Sequence, residues 1–121
     1  MKIAITSMGK DLNDKVDPRF GRCRIFIIYD LDTNQFEAIE NKNAQGMGGV
    51  GIQSGQMMAD RGVKTVLTGN CGPNAFQTLN AAGIEIVAGV KGTIQEVIDK
   101  YKSGQYQKIS GASTSAHSGM Q

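Results

Sequence analysis

The sequence predicts an α/β domain built on a mixed five-stranded sheet with helices on both faces. Three observations carry that expectation. A chain of 121 residues has the size of one domain with a single core. Its apolar residues switch between short β-branched runs and stripes of helical period. The order of those segments is a strand, a hairpin, two helix–strand units and a last helix. The composition, 40% hydrophobic and 20% charged, is that of an ordinary folded soluble chain.

KIAIT (Lys2–Thr6) and RIFIIYD (Arg24–Asp30) are β-branched and aromatic runs of strand length. LDTNQ then turns the chain into a third strand, FEAIENK, which closes a hairpin. NAQGMGG is a flexible junction, and VGIQSGQMMADRG is a helix with Val50, Met57 and Met58 inward and Gly62 at its end. The methionines are core filler. VKTVLTG is a buried strand. CGPNAFQTLNAAG is a helix opened by Pro73 and closed by Gly83, with Phe76 and Leu79 on one face. IEIVAG is the last strand. Thr93 caps the final helix, Glu96 completes a capping box, and Ile94, Val97, Ile98 and Tyr101 form the buried stripe. Residues 1–108 are thus one domain, and the small, polar segment 109–121 is expected to be disordered. No internal repeat is visible.

Chain direction then locates a site. If the first strand runs upward, the hairpin turns the second strand down, antiparallel to it, and the third up. Each helix descends and each later strand rises. Loops Met8–Cys23, Asn41–Gly49, Gly69–Asn74 and Gly89–Gly92 therefore gather at one end. Open α/β sheets bind ligands there, beyond the carboxyl ends of their strands.

Three helix N-termini point to that end, each with unpaired N–H groups and roughly half a positive charge. Arg19, Arg22, Lys42 and Lys91 add full charges. Glycines at 46, 48, 49, 69, 72, 89 and 92 permit close backbone approach. The end reads as a receptor for an anion. A net charge of +2 is too small to argue for nucleic acid, so the positive potential must be local.

Other chemistries are disfavoured. GMGGVG at 46–51 matches G-x-G-x-x-G, but it follows a hairpin rather than the first strand, and no acid follows at Thr68–Asn70. No P-loop lysine follows it either. The single histidine, His117, lies in the tail, so neither Cys23 nor Cys71 has a base for nucleophilic catalysis. Asp11, Asp14 and Asp17 share the first loop, but the first and fourth strands present no carboxylate for a metal-dependent nuclease. The chain reads as a binding protein and not as an enzyme.

Two cysteines far apart make neither a disulfide framework nor a CxxC motif, and free thiols fit a reducing cytoplasm. The apolar run at the N-terminus is too short for a signal peptide or a membrane span. Cys71 precedes a helix N-terminus, which would lower its thiol pKa. Two readings stand for the pair. They are small buried hydrophobes, or thiolates that assist a soft-metal sulfide cluster, since two alone would not complete a zinc site.

VDPRFGRC at 16–23 and GMGGVGIQSGQMMADRGVKTVLTGNCGPNAFQTLNAAGIEI at 46–86, with a short helix after GV, resemble the dinitrogenase iron–molybdenum cofactor biosynthesis family. The family includes nitrogenase accessory proteins that carry cofactor and the orange protein with its molybdenum–copper sulfide cluster. The resemblance implies a ribonuclease H-like, three-layer α/β/α fold without nuclease activity. It also implies binding, transfer or storage of an anionic metal–sulfur cluster, of the molybdenum–copper sulfide or iron–molybdenum type. Cofactor-carrying members often have histidine before the Phe-Gly, where this chain has Arg19. A guanidinium has no lone pair for a metal, so Arg19 tilts the reading toward a noncovalently held, thiomolybdate-type cluster.

The expected site has Arg19, Phe20, Gly21 and Cys23 as one wall, Gly48 and Gly49 as a helix-start floor, and Cys71, Gly72 and Asn74 as the other wall. Cys23 and Cys71 are its candidate metal ligands. Phe20 either shields the ligand from water or tucks into the core as an anchor. Other cluster-handling proteins are the expected partners, with neither nucleic acid nor membrane among them. An adaptor that binds such partners and holds no cluster is the alternative, and a residual phosphoester hydrolase is the weakest reading.

Overall fold

The computed structural model describes residues 1–42 and 50–106, with residues 50 and 51 described by backbone alone. Gly48, Gly49, residues 107 and 108 and the tail 109–121 with His117 lie outside the described residues. The elements follow in order as β1 (Lys2–Ser7), β2 (Ile25–Asp30), β3 (Phe36–Glu40), α1 (Val50–Asp60), β4 (Val63–Leu67), α2 (Pro73–Ala81), β5 (Glu85–Val87) and α3 (Ile94–Lys102). The five-stranded sheet has the order β3-β2-β1-β4-β5. β2 is antiparallel to both β1 and β3, while β1 with β4 and β4 with β5 are parallel. This is the predicted mixed sheet, with β2 running against the rest.

The central strands are apolar on both faces because helices cover both. Successive side chains of a strand point to opposite faces, so β1 and β2 each feed two cores. Ala4, Phe26 and Ile28 meet Met58 of α1 with Ala75 and Leu79 of α2. Ile3, Ile5, Ile25 and Ile27 meet Ile94, Val97 and Ile98 of α3. That places α1 and α2 on one face and α3 on the other. β3, at the sheet edge, keeps Phe36 exposed.

The helix stripes fall as their spacing predicts. Met58 and Leu79 are fully buried, and Met57, Phe76 and Tyr101 pack at the margins. β5 is shorter than the predicted strand, because the amide of Gly89 has already turned to the carbonyl of Gly69, 2.8 Å away. Among the described residues, no helix is long and apolar enough to cross a membrane.

Candidate anion-binding site

β1, β3, β4 and β5 all point the same way, so the loops that follow them share one end of the sheet. Backbone hydrogen bonds knit these loops together. Val16 N–H reaches Gly92 O at 2.9 Å, and Asn41 N–H reaches Arg24 O at 2.9 Å. The tightest stitch joins the first loop to the loop after β4. Phe20 N–H donates to Asn70 O at 3.1 Å, and Asn70 N–H donates to Pro18 O at 2.6 Å. These bonds make a parallel bridge of Arg19 with Asn70, which sets Arg19 beside the segment that holds Cys71.

The bridge needs Gly69. A Cβ there would sit 2.6 Å from Pro18 Cα and 2.8 Å from Pro18 O, both backbone atoms with nowhere to go. The absence of that one methyl lets the first loop lie on the end of β4.

Arg19 is aimed by the residues before it. Asp17 N–H donates to Thr6 O at 2.9 Å, and Thr6 Oγ1 donates back to Asp17 O at 2.6 Å. Thr6 Oγ1 also meets Thr68 Oγ1 at 2.9 Å, which ties β1 to the end of β4. Pro18 has no N–H, so the Asp17 carboxylate closes an Asx turn on the next donor, Arg19 N–H, at 3.0 Å. The same Oδ1 accepts from Arg19 Nε at 3.3 Å. Asp17 is fully buried, whereas the Arg19 side chain is 60% exposed.

The helix N-termini differ from one another. α2 starts at Gly72, whose missing side chain cannot cap, and Pro73 follows in the first turn. Its first turn thus faces the loops without a side-chain cap, with Gly72 half-buried and Asn74 exposed. α3 is closed. Its Ile94 and Gln95 amides donate to Asp14 O and Leu12 O, both at 2.9 Å, and Glu96 N–H donates to Thr93 Oγ1 at 3.2 Å. Glu96 Oε1 returns to Thr93 N–H at 2.9 Å, and a Cβ at Gly92 would stand 2.7 Å from that oxygen. These contacts lower the Glu96 pKa, chiefly through the Thr93 backbone amide. The expectation of three helix starts open to an anion is corrected here. α3 carries its own anion, and Gly92 makes room for it.

Phe20 tucks inward. It is 7% exposed, and its ring lies 5.4 Å from that of Phe26, tilted by 57°. It anchors the loop instead of shielding a ligand. Gly21 follows with φ of 93°, the backbone reversal that returns the chain to β2.

Cys23 and Cys71 are both fully buried in the core that also holds Phe20. Burial, with the nearby charge of Asp17, pushes the Cys23 thiol up to about 12. Burial alone pushes Cys71 up to about 11. The expected acidification of Cys71 by the start of α2 does not occur, because desolvation of a thiolate in this apolar core outweighs it. Neither side chain opens onto a cleft. Among the described residues, no group of three or more His, Cys, Asp or Glu side chains could hold a metal ion.

Asn41 is a site residue that the sequence did not single out. It is 6% exposed, and its Nδ2 donates to Gly21 O and Cys23 O, both at 2.9 Å. It ties the end of β3 to the Arg19 loop. Asp17, considered in the sequence only among the loop acids, and Thr6, Thr68 and Asn70 also belong to this network. For Asp17 the following proline is a local signal, since Pro18 offers no N–H and an Asp side chain readily closes a turn on the next amide; the other three carry no such signal.

Known proteins share this architecture. The apo orange protein from Desulfovibrio gigas superposes with a TM-score of 0.90 at 36% identity, over 93% of this chain and 96% of that one. The NMR structure of a Thermotoga protein provisionally assigned to NifB gives 0.79 at 39% identity, over 88% and 91%. An uncharacterized protein of Methanocaldococcus jannaschii is 32% identical over 100 residues, 80% of this chain and 85% of that protein. The model of the dinitrogenase iron-molybdenum cofactor family matches residues 1–104. With that match over nearly all of the described fold, the chain belongs to the dinitrogenase iron-molybdenum cofactor family.

Proposed function

We propose that the protein carries an anionic metal–sulfur cluster, containing molybdenum or iron, during cofactor assembly, storage or transfer. One observation supports this above the rest. The Arg19–Asn70 backbone bridge sets Arg19, whose side chain is 60% exposed, against the segment that leads two residues later into Gly72 at the start of α2, which has no side-chain cap. A positive side chain and a helix start without a side-chain cap, on an apolar floor, suit a multiply charged anion better than any neutral ligand.

The donor set fits sulfide or oxo groups on the outside of a cluster. Guanidinium N–H and helix-start amides donate to such groups, whereas a bare metal ion would need lone pairs that these donors lack. Both thiols lie fully buried, out of reach of a cargo at the surface, so this reading assigns the cargo to hydrogen bonds and charge. The chain's chemistry is binding, with no catalytic step. The family and the likeness to the orange protein support a cluster as the cargo.

The test is titration of the apo-protein with tetrathiomolybdate, with and without copper, followed by visible absorption. Tetrathiomolybdate is itself coloured, so binding should be read as a saturable shift of its charge-transfer bands. Arg19→Ala should weaken it by about 10- to 100-fold, the share of one charge-assisted contact. Bands that stay those of free tetrathiomolybdate, or a response indifferent to Arg19→Ala, overturn the reading.

An adaptor role is favoured by a separate observation: Met8 and Ile52, both about half exposed, lie on the loop after β1 and in the first turn of α1, toward the same end. Capture of cluster-handling proteins in metal-free, sulfide-free buffer would support it. Capture that occurs only after tetrathiomolybdate is supplied would count for the carrier.

A further inference from the structure

The Asp17 carboxylate presents a puzzle. It is fully buried, and among the described residues its Oδ2 has no hydrogen-bond partner. A buried acceptor left unpaired loses its hydration without compensation, and loses more when it is charged. Closing the turn on Arg19 N–H does not require a charge, since an asparagine or serine side chain makes the same turn at lower cost. Architecture alone therefore does not account for an acid here.

The remaining contact is the one with Arg19 Nε, at 3.3 Å. A guanidinium presents five N–H donors in a rigid planar fork. Holding Nε inward directs the terminal nitrogens outward, toward the 60% of the side chain that solvent reaches. The turn, the locked Asp17 backbone and the Arg19–Asn70 bridge all act on the same two residues. We propose that Asp17 is the positioning residue of the anion site, a buried carboxylate that orients the Arg19 fork so that its terminal N–H groups meet the ligand already aligned. The inference rests on the anion-binding reading for its purpose, but not for its geometry.

The ordering of a free arginine side chain costs on the order of 1–2 kcal/mol, and Asp17 moves that cost from binding to folding. The carboxylate charge also opposes an anion, so a single substitution mixes two effects. Two neutral replacements separate them. Asp17→Asn retains an acceptor for Arg19, and Asp17→Ala removes it, while both remove the charge. Their difference therefore reports orientation at constant charge. Tetrathiomolybdate should bind Asp17→Ala at least about 5-fold more weakly than Asp17→Asn, within the entropy range given. In an Arg19→Ala background that gap should close. Equal affinities for the two variants, or a gap that persists without Arg19, overturn the proposal.

A second measurement needs no ligand, and its wild-type arm needs neither variant to fold. In ¹⁵N-labelled wild-type protein, the Arg19 Nε–H resonance should be separate from the other arginines and slow to exchange with water. It should survive in Asp17→Asn and merge with the exposed arginines in Asp17→Ala. An Arg19 Nε–H that exchanges as fast as a solvated arginine in the wild type refutes the inference outright. If that resonance is protected while tetrathiomolybdate fails to bind, the positioning stands and the carrier reading falls.

Discussion

Replacing Gly69 by alanine tests whether the site depends on one missing side chain. Gly69 does not sit at positive φ, so alanine can adopt its backbone conformation and lacks only the space. The new Cβ would lie 2.6 Å from Pro18 Cα, 2.8 Å from Pro18 O and 2.9 Å from Pro18 Cβ. Pro18 cannot rotate out of the way, so the first loop must lift from β4. Lifting it breaks the Phe20–Asn70 and Asn70–Pro18 hydrogen bonds, each worth about 0.5–1.5 kcal/mol. It also draws Phe20 from its place against Phe26, a burial worth about 1.5–3 kcal/mol when complete. Lower entropy of the unfolded alanine chain offsets about 0.4–1 kcal/mol. The net expectation is a loss of about 2–4 kcal/mol, read as a lower urea midpoint at unchanged slope. Tetrathiomolybdate binding should fall with it, because Arg19 leaves the start of α2. A Gly69→Ala protein within about 0.5 kcal/mol of wild type, with wild-type binding, would show that the loop does not lie on β4 as described.

Three further outcomes follow from the same geometry. Both thiols hold their protons in the folded state to about pH 12 and 11, whereas an unfolded thiol releases its proton near 9. The unfolded chain then binds fewer protons, so stability is full below pH 9 and declines above it, by at most about 1.4 kcal/mol per pH unit for each thiol. Urea melts between pH 8 and 10.5 read this directly, and native protein at pH 8 should react with a disulfide reagent far more slowly than unfolded protein. Thr93→Ala should cost about 0.5–2 kcal/mol of stability through the lost cap and leave anion affinity within about 2-fold, since the α3 start already serves Glu96 and the first loop. Anion affinity should also fall as salt rises from 0.05 to 0.5 M, because the screening length around an Arg19 that is 60% exposed shrinks from about 14 Å to about 4 Å. Salt-independent binding would assign the affinity to buried contacts instead.

The order of elements and the direction of every strand were legible in the sequence, because the apolar period changes at each boundary and helix–strand units impose a right-handed, parallel return. The gathering of Arg19, Gly72 and Asn74 at one end followed from direction alone. What the sequence left open were competitions that only three-dimensional neighbours decide. Phe20 has the composition of either a lid or an anchor, and the ring of Phe26 makes it an anchor. The start of α3 looks like that of α2 in any helix-terminus argument, yet the carbonyls of Leu12 and Asp14 occupy its first amides. The acidity of Cys71 turned on whether a helix start or an apolar core surrounds its sulfur, and the core prevails. Asn41 carries no pattern of its own. Its value lies in two carbonyls about twenty residues away in sequence, at Gly21 and Cys23.

On the proposed carrier reading, cargo must be released as well as held, and the two halves of the candidate site would divide that task. The lower half is a closed, apolar floor in which Phe20, Cys23 and Cys71 are packed and the thiols are kept protonated. Sulfur ligands within the protein are thereby withheld from a cluster, which would otherwise exchange its sulfides for thiolates and become slow to leave. The upper half is charge and N–H groups at a wet surface, where each contact is modest and sensitive to salt. Tight capture through cysteine and easy transfer are incompatible demands on one site. On this reading, the burial of both thiols favours transfer. A variant that brings a thiolate to the surface, such as Asn74→Cys in the exposed first turn of α2, should therefore retain tetrathiomolybdate through gel filtration where the wild type loses it. Equal retention by the two proteins would show that release is not governed by the absence of a thiolate ligand.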